Sequence, residues 1–152
     1  MDIRAKFLRR EIPFDELDVE MIELIDVFNF DLGLKTMFCC YGHKNGEETC
    51  VVFDACVTDE QIIRLAEYLS KVEREIEVNG VSLVNDFGEF NKYVRNVNNC
   101  LEINWTYSFP KLVNKNDDSL YNAFKKKHME GILEDLRGYK GLLADWSGAN
   151  EN

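Results

Sequence analysis

"CLEINWTYSF", residues 100–109, alternates apolar and other side chains along its whole length. One set comprises Leu101, Ile103, Trp105, Tyr107 and Phe109, and the other comprises Cys100, Glu102, Asn104, Thr106 and Ser108. Because successive side chains of a strand point to opposite faces of a sheet, the pattern predicts a half-buried β-strand. Pro110 has no N–H to donate and ends the strand.

Three more strands are predicted around this one. "FNKYVRNV", residues 90–97, precedes it across an Asn98-Asn99 turn, and residues 34–43 and 47–57 flank Asn45-Gly46. Asn-Gly is the strongest short hairpin signal because a type I′ turn requires positive φ at both central residues. The chain is therefore expected to form two β-hairpins.

Helical spacing of apolar residues marks three other segments. Residues 18–32 show this spacing, and Gly33 stands where a helix commonly ends in the left-handed conformation. Residues 58–77 begin with a Thr-x-x-Gln capping box and continue with an apolar stripe, and Asn79-Gly80 is expected to end the helix. A last helix is predicted over residues 119–137.

The order of these elements, αββαββα, predicts an α+β fold in which a four-stranded, mostly antiparallel sheet carries helices on one face. A chain of 152 residues has the length of one ordinary domain. We expect residues 1–152 to form a single domain, with residues 1–12 as an N-terminal arm and residues 141–152 as a C-terminal tail.

The composition restricts the class of function. The net charge is -10, and an acidic surface repels phosphate backbones, so direct nucleic-acid binding is not expected. The chain has no long uncharged apolar segment and no signal-peptide core, so we expect a cytoplasmic protein without a membrane span. In that reducing compartment the five cysteines are expected as free thiols.

The acidic charge is concentrated near the N-terminus. Residues 11–34 hold eight carboxylates and neither lysine nor arginine. The ordinary interpretation is a solvated helix face. The alternative is an acidic surface that docks on a basic partner.

Residues 35–56 place four of the five cysteines and one of the two histidines in one predicted hairpin. A two-residue turn at Asn45-Gly46 would pair Lys44 with Glu47 and so fix the register. One face then holds Phe38, Cys40, Val51, Phe53 and Ala55. The other holds Met37, Cys39, Tyr41, His43, Glu48, Cys50, Asp54 and Cys56. We expect the first face in the core and the second, mixed face open to a ligand.

The candidate ligand-binding residues lie on this second face and on the matching polar face of residues 100–109. They are His43, Tyr41, Lys44, Glu48, Cys50 and Asn104. A ligand near the turn is expected to meet His43 first. Neither a cofactor nor a metal is expected, because the cysteines and histidine lack the C-x2-C spacing of a zinc knuckle.

Two other chemistries remain open. In the predicted register Cys50 lies diagonal to His43, and Glu48 lies opposite His43. This arrangement is compatible with a hydrolase that acts on a small molecule through a Cys–His pair or a metal ion. Farther along the chain, residues 125–127 are three lysines, followed by His128. We expect a solvated face and a half-buried helix histidine there, with capture of a phosphorylated molecule as the alternative.

The run "FDLGLKTMFCCYGH" followed by a "VVF" strand resembles a group of small proteins of bacteriophages and Firmicutes. Their shared motif has the form G-x-x-T-x-x-(S/C)-C-x-G-H, followed by a strand that ends in Phe. The matching positions here are Gly33, Thr36, Cys39, Cys40, Gly42, His43 and Phe53. The resemblance covers about a quarter of the chain and implies a phage-type protein in the cytoplasm of a bacterial host cell.

Small phage accessory proteins often antagonise host defence, and the analogy gives the leading hypothesis of function. We expect a non-enzymatic binding protein that sequesters a nucleotide-like signal or occludes a host effector. Its partners would be a small nucleotide-like ligand or a host defence protein, and homo-oligomers are possible. The hydrolase is the alternative.

Overall fold

The computed structural model describes residues 2–42, 48–72, 74–78, 80–111 and 118–150, apart from the side chains of 74, 81–85, 118 and 145–150. The helices are α1 (Ile3–Arg9), α2 (Ile22–Asp26), α3 (Asp59–Ser70) and α4 (Asp118–Asn150). The strands are β1 (Thr36–Cys40), β2 (Cys50–Phe53), β3 (Arg74–Val78), β4 (Val81–Asn85), β5 (Glu89–Val97) and β6 (Cys100–Ser108).

Four strands form an antiparallel sheet in the order β1-β2-β6-β5. The predicted strand at residues 100–109 is its central member, β6. Asn98 and Asn99 have φ of 51° and 65° and close the β5–β6 hairpin, as a two-residue turn requires. The predicted α+β class with a four-stranded antiparallel sheet is confirmed.

The apolar face of β6 is buried over only part of its length. Tyr107 and Phe109 are core residues, whereas Leu101 is 78% exposed. The reason is that β2 is short. Its residues 50–52 pair with residues 106–108 of β6, so the far end of the β5–β6 hairpin extends past β2.

The helix predicted over residues 58–77 was wrong in its last part. Helix α3 begins with the predicted Thr58–Gln61 capping box but ends at Ser70. Residues 74–78 form β3, which pairs with β4, and Val78 lies opposite Val81. Ile76 and Val78 are buried while Glu75 and Glu77 are exposed, which is the two-residue period of a strand. Gly80, whose φ is 78°, thus precedes the second strand of a hairpin and does not terminate a helix.

The core lies between the sheet and the helices. The sheet contributes Val51, Phe53 and Tyr107, and the helices contribute Phe7, Leu24, Ile25, Ile62, Leu65, Leu69, Ile132, Leu133 and Leu136. The ring of Phe28 meets the ring of Phe53 edge-on, with 5.0 Å between centroids. Aromatic pairs of this geometry add to the stabilisation from area burial alone.

The first predicted helix, residues 18–32, is a composite. A 3-10 turn at Val19–Met21 leads into α2, and a π-helical turn at Val27–Asp31 follows. Gly33 has a φ of 67° and ends the segment as predicted. Asn29 then ties the segment to β1, because its side chain accepts from the Thr36 N–H at 3.1 Å.

Both chain ends are more structured than predicted. Residues 3–9 of the predicted arm form α1, and its Phe7 is fully buried. Helix α4 continues beyond residue 137 through the predicted tail to Asn150. Within the described residues, none of the helices has both the length and the apolar character that a bilayer span needs.

Candidate functional site

The register of the β1–β2 hairpin differs by one residue from the predicted one. The observed pairs are Cys40–Cys50, Cys39–Val51 and Phe38–Val52. Nine residues, 41–49, therefore separate the last paired positions. The predicted register allowed only an even number of intervening residues, and an odd number turns one strand over relative to the other.

The predicted faces of the hairpin were consequently right for β2 and wrong for β1. Val51 and Phe53 lie in the core as expected. Phe38 and Cys40, which were assigned to the core, are exposed, and Cys39 packs against the core instead. Cys40 and Cys50 thus point to the same side of the sheet.

Of the six predicted ligand-binding residues, the four that the structure describes do not form one group. His43 and Lys44 lie outside the described residues. Glu48 forms an ion pair with Lys111, with 3.3 Å between Oε1 and Nζ. Tyr41 packs against the core, whereas Cys50 and Asn104 lie on the other face of the sheet.

Tyr41 belongs to a buried contact with α4. Lys125 is 1% exposed, and its Nζ donates to the carbonyl oxygens of Tyr41 at 2.8 Å and Gly42 at 2.6 Å. The same ammonium lies 5.0 Å from the ring centroid of Tyr41 and 4.8 Å from that of Tyr121. The prediction that Lys125 lies on a solvated face was wrong.

The face of the sheet that points away from the core is called the open face below. Its side chains follow from strand alternation and from the pairing register. They are Phe38, Cys40, Cys50, Val52, Glu89, Asn91, Tyr93, Arg95, Glu102, Asn104, Thr106 and Ser108. None of these side chains belongs to the main core cluster of the described residues.

The middle of the open face is nearly dry although it lies outside the core. Val52, Asn104 and Thr106 are buried there. The Asn104 Nδ2 donates to the Phe53 carbonyl oxygen at 3.0 Å, where β2 ends. These three side chains are therefore covered by their neighbours on the open face.

Aromatic and basic side chains flank these three buried residues. Phe38, on the edge strand β1, is 57% exposed, and Tyr93, on the edge strand β5, is 48% exposed. The Arg95 guanidinium lies 5.9 Å from the Tyr93 ring centroid, and its Nη2 donates to the Thr106 hydroxyl at 3.5 Å. Three strand spacings separate β1 from β5, so the open face is about 14 Å wide between these two strands.

Three buried polar atoms on the open face have no hydrogen-bond partner within the described part of the chain. They are the Arg95 Nε, one Glu102 carboxylate oxygen and the Asn104 Oδ1. Buried polar groups are nearly always paired, and an unpaired group costs about 1–3 kcal/mol. All three atoms lie on neighbouring positions of β5 and β6, so the open face has unmet hydrogen-bonding capacity at one place.

The thiols near this face are poorly suited to nucleophilic attack. Burial, and then the neighbouring Asp18, raise the pKa of Cys39 to about 12. Burial and then Cys40 raise the pKa of Cys50, against an opposing effect of Arg95. Since the thiolate is the nucleophile, both groups are protonated at neutral pH, which disfavours Cys50 as a catalytic residue.

The other candidate chemistries also lack a geometric basis in the described residues. These residues contain no group of three His, Cys, Asp or Glu side chains that could hold a metal ion. His128 was predicted to be half-buried but is 1% exposed. Its ring lies between Phe109 and Phe124, and its Nε2 is 3.1 Å from the Tyr107 hydroxyl. The histidine is a core residue that orders the β6–α4 contact.

We predict that Tyr107→Phe lowers the free energy of unfolding by about 1–2 kcal/mol, because it removes the hydroxyl's contacts with His128 and the Phe87 carbonyl oxygen. Chemical denaturation of parent and variant measures the change. Tyr93→Phe, at an exposed position, is the matched control and should stay within about 0.5 kcal/mol of the parent. Equal losses in the two variants would contradict the assignment.

Half of the eight carboxylates in the acidic segment, residues 11–34, are compensated within the fold. Four of its carboxylates form ion pairs with bases of α1 and α4. The pairs are Asp15–Arg4, Asp26–Lys6, Glu23–Arg137 and Asp31–Lys140. The segment therefore presents less free negative charge than its sequence suggests.

The chain matches the model of the YoqC prophage protein family over residues 5–143. The chain belongs to this family. The YoqC match runs from α1 into α4 and includes every strand of the open face, so the phage-type origin inferred from residues 30–53 is confirmed over most of the chain. The motif that suggested it stays a prediction. No curated protein and no solved structure matches the chain significantly.

Sequence reasoning found part of this site and missed the rest. Cys50 and Asn104 were predicted to face away from the core, and they do. Tyr93 and Arg95 were not considered, although the alternation of "NKYVR" places them together on one side of a strand. Phe38 was assigned to the core because an apolar residue is usually buried.

Proposed function

We propose that this YoqC-family chain is a non-enzymatic binding protein of the prophage that occludes a protein of the host's defence, and that the open face is its docking surface. The observation that carries the proposal is the pair of exposed aromatic side chains, Phe38 and Tyr93, on the two edge strands of the open face, with the Arg95 guanidinium 5.9 Å from the Tyr93 ring centroid. An arginine among aromatic residues is also the composition in which binding hot spots are enriched.

The shape of the open face favours a protein over a small molecule. Small ligands bind in concave sites that enclose most of their surface, whereas the open face is broad and shallow. Its width of about 14 Å accepts an α-helix, which measures about 10–12 Å across with its side chains. A sheet with helices on one face can bury its second face under another layer, and a partner's helix would be that layer.

The chemistry of the face specifies that helix. The partner's helix would place an apolar stripe against Phe38, Val52 and Tyr93. It would also place a carboxylate opposite the Arg95 guanidinium. The net charge of -10 would attract a partner whose remaining surface is basic. We therefore expect an amphipathic helix that carries one buried acid and lies on a basic protein.

The docking surface is tested by capture from bacterial lysate on protein that carries no histidine tag. The parent, the double variant Tyr93→Ser/Arg95→Gln and the control variant Ile63→Ser are compared. Ile63 is 50% exposed on α3, outside the open face. We expect one stoichiometric host protein with the parent and the control, and its loss with the double variant. The purified pair should then show at least tenfold weaker binding for the double variant, because hot-spot losses exceed 1.4 kcal/mol.

Other outcomes of this capture would contradict the proposal in distinguishable ways. Equal retention by all three proteins would place the interface elsewhere. Heat release of a nucleotide unchanged in mass, detected by mass spectrometry, would support sequestration of a signal. A chemically converted product would support the hydrolase.

The role in defence is tested separately, in cells. A host with an active defence system should regain phage plaques when it expresses the parent or Ile63→Ser. Tyr93→Ser/Arg95→Gln should not restore them at equal protein level. Equal plating with the parent and with an empty vector, across hosts that contain the captured protein, would contradict an anti-defence role.

A further inference from the structure

Cys40 and Cys50 face each other directly across the β1–β2 hairpin. Their Cα atoms are register partners, and strand alternation places both thiols on the open face. Cys40 is exposed and Cys50 is half-buried. The sequence did not reveal this pair, because the predicted register placed the two cysteines on opposite faces.

The pairing meets the geometric condition for a disulfide. Directly opposed residues of antiparallel strands have Cα atoms about 4.5 or 5.5 Å apart, depending on the hydrogen-bonding of the pair. Disulfides occur with Cα separations of about 4.4–6.8 Å. Both strand geometries therefore allow the bond without a change of fold.

We propose that Cys40 and Cys50 are a site of reversible oxidation, at which peroxide converts the two thiols into a cross-strand disulfide. This modification goes beyond the proposed docking function and does not depend on it. The bond would join the edge strand β1 covalently to β2 and fix one wall of the open face.

The reaction proceeds in two balanced steps. The Cys40 thiolate attacks one oxygen of hydrogen peroxide, the O–O bond breaks, and the departing hydroxide takes the proton that the thiol released. The Cys50 sulfur then attacks the resulting sulfenic sulfur, the S–O bond breaks, and this hydroxide takes the Cys50 proton. The thiols lose two electrons, and the peroxide ends as two waters.

The surroundings assign the order of the two cysteines. Cys40 is exposed and meets peroxide first. Burial and the adjacent Cys40 raise the pKa of Cys50, so Cys50 reacts slowly with dissolved peroxide. It serves as the resolving thiol because it lies directly opposite Cys40, which makes its attack on the sulfenic sulfur intramolecular. Cys39 points to the opposite face and pairs with Val51, so it is not positioned to compete.

The bond is expected to be readily reduced. The Cβ atoms of opposed strand residues are about 4.5–5.5 Å apart, whereas a relaxed disulfide holds them at about 3.5–4.5 Å. Some strain therefore remains, and strained disulfides have more oxidising potentials. Glutathione should restore both thiols.

The test is peroxide treatment of the reduced full chain, followed by alkylation, intact mass measurement and tryptic mapping. Trypsin cleaves after Lys44, between the two cysteines in sequence, so a disulfide keeps peptides 36–44 and 45–64 joined. These peptides also hold Cys39 and Cys56, so fragment-ion sequencing of the joined pair assigns the two bonded sulfurs. We expect three alkylated thiols and a Cys40–Cys50 peptide pair at least tenfold above any other pair. The oxidised protein should melt about 5 °C higher, since the bond constrains the unfolded chain.

Matched variants and conditions keep the test decisive. Cys100→Ser should form the same bond, whereas Cys50→Ser should form none and should accumulate sulfenic or sulfinic acid on Cys40. The parent in denaturant should lose the selectivity, because the fold aligns the pair. Five alkylated thiols after treatment, or a dominant pair that includes Cys39, Cys56 or Cys100, would overturn the proposal.

Discussion

Replacement of Gly88 by alanine is expected to lower the free energy of unfolding by at least about 3 kcal/mol. Gly88 has a φ of 105°, and an added Cβ would lie 2.1 Å from the Ser108 carbonyl oxygen. Side chains are strained in this backbone region, and the clashing atom is backbone. Ser108 pairs with both Cys50 and Glu89, so moving it would disturb three strands.

Thermal or urea unfolding of Gly88→Ala measures this loss, and the melting temperature should fall by about 10 °C. Two control glycines separate the causes. At Gly141 in α4 no described atom lies within 4 Å of an added Cβ, so Gly141→Ala should stabilise the helix slightly. Gly33 has a φ of 67°, but no described atom lies within 4 Å of an added Cβ. The loss of stability in Gly33→Ala therefore measures backbone strain without a steric clash. A Gly88→Ala protein that melts like Gly33→Ala would contradict the close approach to Ser108.

Replacement of Lys125 by methionine is expected to cost about 2–3 kcal/mol. The methionine keeps most of the apolar stem but leaves the carbonyl oxygens of Tyr41 and Gly42 without the charged donor. Hydrogen bonds to charged groups are worth about 1.5–3 kcal/mol. The Tyr41 oxygen keeps the hydrogen bond that the Thr49 hydroxyl donates at 2.7 Å, so the loss of the Lys125 donor falls mainly on Gly42. The ring contacts with Tyr41 and Tyr121 disappear as well.

The adjacent lysine provides the control for this prediction. Lys126 is exposed on the same helix, and Lys126→Met should change stability by less than about 0.5 kcal/mol. Denaturant unfolding of both variants under one condition gives the comparison. Equal stability of Lys125→Met and Lys126→Met would show that the ammonium does not anchor residues 41 and 42.

The sequence alone determined the elements whose pattern is local and long. The faultless alternation of residues 100–109 identified β6, because ten residues of period two have no helical interpretation. The Thr58–Gln61 capping box located the start of α3 to the residue, because both hydrogen bonds form within one turn. Asn98-Asn99 likewise marked a turn that its own backbone conformation requires.

Where the sequence failed, one local signal was compatible with two structures. Asn-Gly can end a helix or close a hairpin, and residues 74–78 form a strand because β4 is available to pair with them. A stripe at residues 72 and 76 fits a helix, but Ile76 and Val78 are buried beside Phe124 of α4, which favours the strand. Packing against a distant helix, and not local propensity, decided the element.

The composition of the candidate site was decided by tertiary structure for a similar reason. Strand side chains repeat with a period of two, so one residue more or less in the loop after Cys40 exchanges the two faces of β1. The residues were visible in the sequence, but only the pairing of β1 with β2, and of β6 with β5, brought Cys40 opposite Cys50 and Arg95 beside Thr106. Register is a property of two strands together, and no single strand's sequence contains it.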